Sequence, residues 1–275
     1  MEIFANREIE TDLNLLQKWF EANENLPEKI DRIFLARFYY RSDKNIEETK
    51  KLLLGHYAIR KKNPNIFFAR DPDSQHALNT AEFVHFVTLP GLTPDKNQVK
   101  LIKLKNADPN KVHFVEDMKS LIMAHDGAFC EADMIVNDVP YFAENLIQIV
   151  DMDGFTMKHM THLSLPALLV FLRYMQKYCP IKFKTIHLIN CPAYVNNMFA
   201  MVKPFMKKET IDKIQFHVRS IENLFESVPK EMLPSEYGGN SSSIDDLSEE
   251  MLNSLRSKRN YLIDPNYWKI TDESK

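Results

Sequence analysis

Apolar residues recur at helical spacing through the first 75 residues and then switch to strand spacing. Ile9, Leu13, Leu16 and Phe20 mark one face of a first helix, with Trp19 beside them. Pro27 is expected to open a second helix at its first position, where a missing N–H costs nothing. The apolar face of that helix is Ile30, Ile33, Phe34 and Phe38. Asn45 followed by Glu48 resembles a capping box for a third helix, with Leu53 and Tyr57 turned inward and Asn63-Pro64-Asn65 as its end. Three short amphipathic helices bury little alone. Residues 1–75 are therefore expected to form a helical subdomain packed on the rest of the chain.

From about residue 80 the period changes. Residues 83–87 and 99–104 read as strands around a Pro90-Gly91 turn, and a helix is expected over 115–137, marked by Met118, Leu121, Ile122 and Phe129. Residues 145–153 are apolar enough for a strand buried on both faces, turned by Asp153-Gly154. Ser164 and Pro166 start a nearly all-apolar helix over 167–178. Residues 183–190 read as a strand, 193–206 as a helix and 214–218 as a short strand. Alternating strands and helices imply parallel crossovers, hence a sheet covered by helices. Beyond Tyr237-Gly238-Gly239, the run Asn240-Ser241-Ser242-Ser243 reads as a linker, so 76–239 is expected to be the main domain and 240–275 a linker with a C-terminal helix or tail.

Composition fits one sizeable core, with 275 residues, 44% of them hydrophobic and 27% charged. A net charge of −3 predicts no nucleic-acid partner. The longest uncharged stretch, 185–202, holds His187, Asn190, Pro192, Asn196 and Asn197, which does not suit a bilayer span. Charges occupy the opening residues, where an apolar leader segment would sit. Cys130, Cys179 and Cys191 are odd in number and widely spaced, which points to a reduced, cytoplasmic compartment.

Several chemistries are missing. Only six glycines occur, none spaced to cradle a phosphate after a strand, and no Gly-x-Ser-x-Gly elbow exists. His159 and His162 lack a third ligand of suitable spacing and read as surface or hydrogen-bonded histidines, so no metal is expected. Asp151 and Asp153 alternate along a strand and therefore point to opposite faces. They read as a structural hydrogen bond and a turn cap before Gly154, not as a catalytic pair. Neither a catalytic residue nor a cofactor is expected.

Two positive features stand out. Soft, bulky apolar residues crowd 160–206, with Tyr194, Val195, Met198, Phe199, Val202, Phe205 and Met206 on one broad stripe of the last helix. Between Phe155 and Arg219 there are ten Lys and Arg against two acids, Glu209 and Asp212, a local charge of +8 in a chain of −3. Bases flanking an apolar helix attract an anionic membrane surface. Each feature alone also fits a core helix or a solvated basic face.

Ordered motifs narrow the choice. Ile186-His187-Leu188-Ile189-Asn190-Cys191-Pro192, then Val202-Lys203-Pro204-Phe205-Met206, then Leu233-Pro234-Ser235-Glu236-Tyr237-Gly238-Gly239 resemble the hallmarks of the CRAL-TRIO lipid-binding family. Within it they look most like the branch of alpha-tocopherol transfer protein and cellular retinaldehyde-binding protein. Asp151-Met152-Asp153-Gly154-Phe155 resembles the family's strand-end motif, which more often has Glu third and Trp fifth. Residues 31–40 resemble its N-terminal three-helix region.

The resemblance implies an α/β fold: an N-terminal three-helix subdomain and a lipid-binding domain with a five-stranded, mainly parallel sheet. Helices would enclose an apolar pocket with a mobile lid at 193–206, carrying Tyr194, Met198, Phe199, Val202, Phe205 and Met206. By the family pattern the pocket wall would include Leu146, Leu163, Phe171, Tyr174, Met175, Cys179 and Ile181. Lys182, Lys184 and Lys213 match three basic positions that bind phosphoinositide headgroups in the tocopherol carrier. A fourth falls on Glu209, with Lys207 and Lys208 beside it. The implied protein is no enzyme. It is a monomeric cytoplasmic carrier of one tocopherol-, retinoid- or carotenoid-like lipid, docking transiently on anionic membranes. Two alternatives stay open: a phosphatidylinositol transfer or sensing protein, and a lipid-regulated interaction module.

Overall fold

Side-chain caps decide where the N-terminal helices begin. In the computed structural model, which describes residues 1–218 and 220–269, Asn6, Asp31 and Asn45 each accept a hydrogen bond from the backbone N–H three residues on. They open α1 (Arg7–Glu21), α2 (Arg32–Arg41) and α3 (Ile46–Lys62). Pro27 therefore does not start the second helix. Asp31 supplies the acceptor that Pro27 lacks, and α2 begins at Arg32. Short helices α4 (Pro64–Phe67) and α5 (Gln75–Phe83) come next. Leu13, Leu16, Phe20, Phe38 and Leu53 have no exposure at all in the core that these helices share.

The central elements are β1 (Val84–Thr88), β2 (Gln98–Leu104), α6 (Phe114–Phe129), β3 (Met134–Val136), β4 (Val139–Tyr141) and β5 (Leu146–Asp151). After them come α7 (Met157–Met160), α8 (Leu165–Lys177), β6 (Phe183–Ile189), α9 (Val195–Val202), α10 (Lys208–Ile211) and β7 (Ile214–Phe216). The last three helices are α11 (Ile244–Ser257), α12 (Arg259–Ile263) and α13 (Pro265–Trp268). Five strands form one sheet in the order β1-β2-β5-β6-β7, with β1 antiparallel to β2 and all other pairs parallel. The expected α/β architecture, with a five-stranded mainly parallel sheet and an N-terminal helical region, is present.

Two segments differ from the sequence reading, 115–137 and 193–206. The helix expected to reach residue 137 stops at Phe129. Asn137 and Asp138 both take left-handed φ, 49° and 63°, and join β3 to β4 as a tight hairpin. The apolar helix expected over 193–206 is helical only to Val202. Pro204 has no N–H to continue it, and a 3-10 turn covers Lys203–Phe205. Residues 244–268 are packed helices: Ile244 and Leu247 lie on the sheet, and the Trp268 ring sits 5.8 Å from Phe34 in the N-terminal core.

The two faces of the sheet are treated differently. On one face Val99, Leu101, Ile147, Ile149 and Ile189 are sealed to 1% exposure or less under Leu224, Val228, Leu233 and Leu247. Gly239 fits that cover because a Cβ there would meet the Leu233 carbonyl at 2.0 Å. On the other face, Val150, Ile186, Leu188, Ile214 and Phe216 remain only half-buried although they are apolar. That asymmetry defines the site.

Candidate functional site: an apolar groove with a basic rim

Strand alternation puts Leu146, Gln148 and Val150 of β5 on the same face as Ile186 and Leu188 of β6 and Ile214 and Phe216 of β7. These residues floor a groove. One wall is α8 and the other is α9. The two walls are tied at one point, where Gln176 Oε1 accepts from the Lys207 N–H (2.6 Å) and from Thr210 Oγ1 (3.1 Å). Leu168 and Leu172, the wall residues on the same side of α8 as Gln176, are also half-buried. Apolar side chains left partly exposed on three elements at once mark a face that the surrounding side chains do not fully cover.

The residues expected to line a pocket fall into two groups. Leu146, Tyr174, Cys179 and Ile181 are buried in the core shared with the N-terminal helices. Tyr174 is held there by Arg60, whose Nη2 donates to its hydroxyl at 2.7 Å, and by Phe67, 5.0 Å away. Burial raises the Tyr174 hydroxyl and the Cys179 thiol well above their ordinary values. Leu163, Phe171 and Met175 are half-buried. Phe171 and Met175 of α8 pack against the edge of that same core.

The segment expected as a lid divides likewise. Val195 and Met198 are buried against Met152 and Cys191, with Tyr194 and Phe216 packed alongside. Phe199 meets Phe216 edge-on at 5.2 Å. Val202 and Met206 are half-buried, whereas Met201 and Phe205 are exposed by 53% and 40%. Phe205 thus leaves the inward stripe expected of it, because the 3-10 turn at Pro204 rotates it outward. With Leu165 and Leu169 exposed on α8, the rim of the groove is apolar on both sides.

Bases surround that rim. Lys184, Lys203, Lys207 and Lys208 are exposed. Lys182 is paired with Asp43, and Lys213 Nζ donates to the Phe183 carbonyl at 2.6 Å. Lys184, Lys203, Lys207 and Lys208 therefore carry the charge most available to an external anion. Glu209 is exposed beside them.

The Asp151 and His159 groups are structural. Asp151 accepts from Tyr237 Oη (2.6 Å), Asn190 Nδ2 (2.8 Å), Lys103 Nζ (3.1 Å) and the Asp153 N–H (3.0 Å). Burial pushes its carboxyl up, but these donors outweigh burial and hold it below its usual value. His159 Nδ1 accepts from the Thr156 N–H and closes the α7 cap. No cluster that could hold a metal exists among the described residues.

Sequence reasoning missed the polar groups inside. Lys100 (6% exposed), His125 (4%) and Gln148 (8%) are buried on or over the groove face. Lys100 alternates with the sealed Val99 and Leu101 as an exposed lysine would, so the strand pattern gave no signal of its burial. Two ion pairs were also missed. Arg37 grips Asp133 through two nitrogens (3.0 and 2.9 Å), and Arg60 grips Asp126 likewise (2.9 and 2.8 Å).

With the site's geometry established, comparison with known proteins defines the class. Residues 83–239 match the CRAL/TRIO domain and residues 2–77 match the Pinta-like, UBA domain. The chain belongs to the CRAL-TRIO family. Among curated relatives, Clavesin-1 of Xenopus laevis is 24% identical over 218 residues, covering 77% of this chain and 61% of that protein. Alpha-tocopherol transfer protein-like of Homo sapiens is 22% identical over 221 residues, covering 80% and 62%. The chain thus spans about three fifths of the length of these relatives. The solved structure titled Crystal structure of Sfh5 shares the fold, with a TM-score of 0.54 at 14% identity, covering 83% of this chain and 79% of that one. No helix among the described residues is long and apolar enough to cross a membrane.

Proposed function

We propose that the protein is a carrier, not an enzyme, that holds one hydrophobic lipid in the groove and exchanges it at an anionic membrane surface. The supporting observation is the half-buried apolar floor of Val150, Ile186, Leu188, Ile214 and Phe216, opposite a face sealed to 1% or less. A ligand with ~20 apolar carbons loses on the order of 16 kcal/mol on release into water, at ~0.8 kcal/mol per methylene. Exchange must therefore occur where a bilayer replaces the groove wall. α9 with its 3-10 turn is the movable wall: Met201 and Phe205 already face outward, and Pro204 interrupts the helix. Lys184, Lys207 and Lys208 bring that wall to anionic lipid, phosphoinositides included, while the protein remains cytoplasmic and monomeric between encounters.

Transfer of a fluorescent tocopherol or retinoid analogue from the protein to vesicles tests this reading. Neutralising Lys184, Lys207 and Lys208 together is expected to slow transfer to vesicles containing anionic lipid by on the order of a hundredfold, at ~1 kcal/mol per base. Transfer to neutral vesicles should stay unchanged. Equal rates for both proteins on anionic vesicles contradict the docking surface.

A further inference from the structure

Near the groove face lies a cation, Lys100, with which no side chain among the described residues forms a hydrogen bond or ion pair. Its side chain is buried, with 6% exposure. The groups around it do not supply a counter-ion. Asp133 is held on both oxygens by Arg37 and also accepts from the Ala143 N–H and Gln98 Nε2. The Cys179 thiol stays protonated, since burial raises it. Asp126, deeper in, is held by Arg60 and Arg70. Four largely or fully buried cations, Arg37, Arg60, Arg70 and Lys100, thus face two acids, Asp133 and Asp126. An ammonium removed from water without a partner costs several kcal/mol. An anion bound at Lys100 would offset that cost.

We propose that Lys100 binds the carboxylate head of a long-chain or isoprenoid acid, whose tail runs along the groove toward α9. This rests on the carrier reading above and names its ligand class. Position supports it first. Lys100 pairs with Gln148 in register, and Met152, against which α9 packs, lies four residues further along the chain from Gln148, about 13 Å at strand rise. A head at Lys100 therefore leaves the whole floor between Gln148 and Phe216 for the tail. Size supports it next. Lys100 shares a cleft of about 70 Å³ with Leu146, Phe129 and Ile181. At about 10–15 Å³ of such space per water, that holds a few waters and so admits a carboxylate.

His125 meets Lys100 in a separate small cavity, lined also by Leu121, Ala124 and Gln148. Its Nδ1 donates to the Leu121 carbonyl at 2.8 Å, which leaves Nε2 buried without a partner beside Lys100. In the empty site His125 is held neutral by burial and by the Lys100 charge. The ammonium itself is depressed to about 8, chiefly by desolvation, so it stays mostly charged at neutral pH and rises when an anion arrives.

The test is equilibrium binding of a fluorescent C18 polyene acid, its alcohol and its methyl ester to the full chain at pH 7. The acid is expected to bind about tenfold to a hundredfold tighter than the alcohol, as one charged hydrogen bond supplies. Lys100→Met should bring the acid-to-alcohol ratio close to one, and Lys100→Arg should restore most of it. Because the wild-type ratio needs no variant, misfolding of Lys100→Met leaves the question decidable. Equal binding of acid and alcohol by the wild type overturns the inference, as does an unchanged ratio in a folded Lys100→Met. Lipid extracted from the purified protein separates the two failures. A neutral isoprenoid or a phospholipid ends the Lys100 assignment alone, whereas the absence of any lipid and of binding by all three probes ends the carrier reading as well.

Discussion

The Tyr237 hydroxyl donates a 2.6 Å hydrogen bond to Asp151 Oδ2 across 86 residues of sequence. It joins the segment that seals one sheet face to the end of β5, while Asn190 and Lys103 take the remaining lone pairs of the same carboxylate. The contact explains why a Tyr stands before Gly238-Gly239. Tyr237→Phe removes a bond to a buried charge without opening a cavity and is expected to lower unfolding stability by about 1–3 kcal/mol. Urea denaturation followed by circular dichroism checks this. A midpoint unchanged from wild type contradicts it.

The Arg60–Asp126 pair makes a different demand. Both side chains have no exposure, and Arg60 also holds Tyr174. Asp126→Asn leaves Arg60 and Arg70 buried without their acid and is expected to cost about 3–5 kcal/mol. Replacing Arg60 and Asp126 together by Met and Leu should cost clearly less than Asp126→Asn alone. A double variant no more stable than the single one contradicts this account of the pair.

Acid sensitivity should come from histidines. His125 is depressed to about 3 and His187 to about 4, both chiefly by burial. His56 is also held well below its usual value by burial. The unfolded chain binds protons near pH 6.5 while the folded form keeps these rings neutral. Stability from the neutral rings is therefore present above pH 6.5 and is lost as pH falls from there toward 4. Each ring contributes a slope of about 1.4 kcal/mol per pH unit in that window. Thermal melts from pH 8 to pH 4 are expected to show the loss beginning near 6.5. His187→Asn, which removes one of the rings, should make it shallower. A flat profile down to pH 5 contradicts this origin.

What the sequence made legible was mostly local. Asn45 reads as a cap because its acceptor serves the Glu48 N–H three residues on. The strand at 145–153 reads as buried because Ile147 and Ile149 lie between β2 and β6. The motif at 186–192 and the Leu233–Gly239 run pointed to the sheet and its cover. Long-range pairings left no local mark. Arg37 and Asp133 are 96 residues apart, and Trp268 reaches the N-terminal core from beyond a serine run that reads as a linker. The hairpin at Asn137-Asp138 hid behind a helical pattern that outlasts the helix. Lys100 escaped notice because alternation along β2 suits an exposed lysine, and only the placement of α6 over that face buries it.

The outward residues of the lid segment give a further check. Met201→Asp with Phe205→Asp places charges where the groove rim meets lipid, while the inward Val195 and Met198 are untouched. Sedimentation with anionic vesicles is expected to fall at least about tenfold, with thermal stability within about 1 kcal/mol of wild type, as exposed positions allow. Retained vesicle binding in a folded double variant contradicts the rim as the contact.

The most direct measurement is lipid content. Organic extraction of the purified chain followed by mass spectrometry is expected to yield one dominant hydrophobic lipid approaching one per protein. The same extraction from Leu188→Trp, which fills the groove floor, should yield at least about tenfold less. Equal traces of mixed lipid from both proteins contradict a lipid-carrying groove.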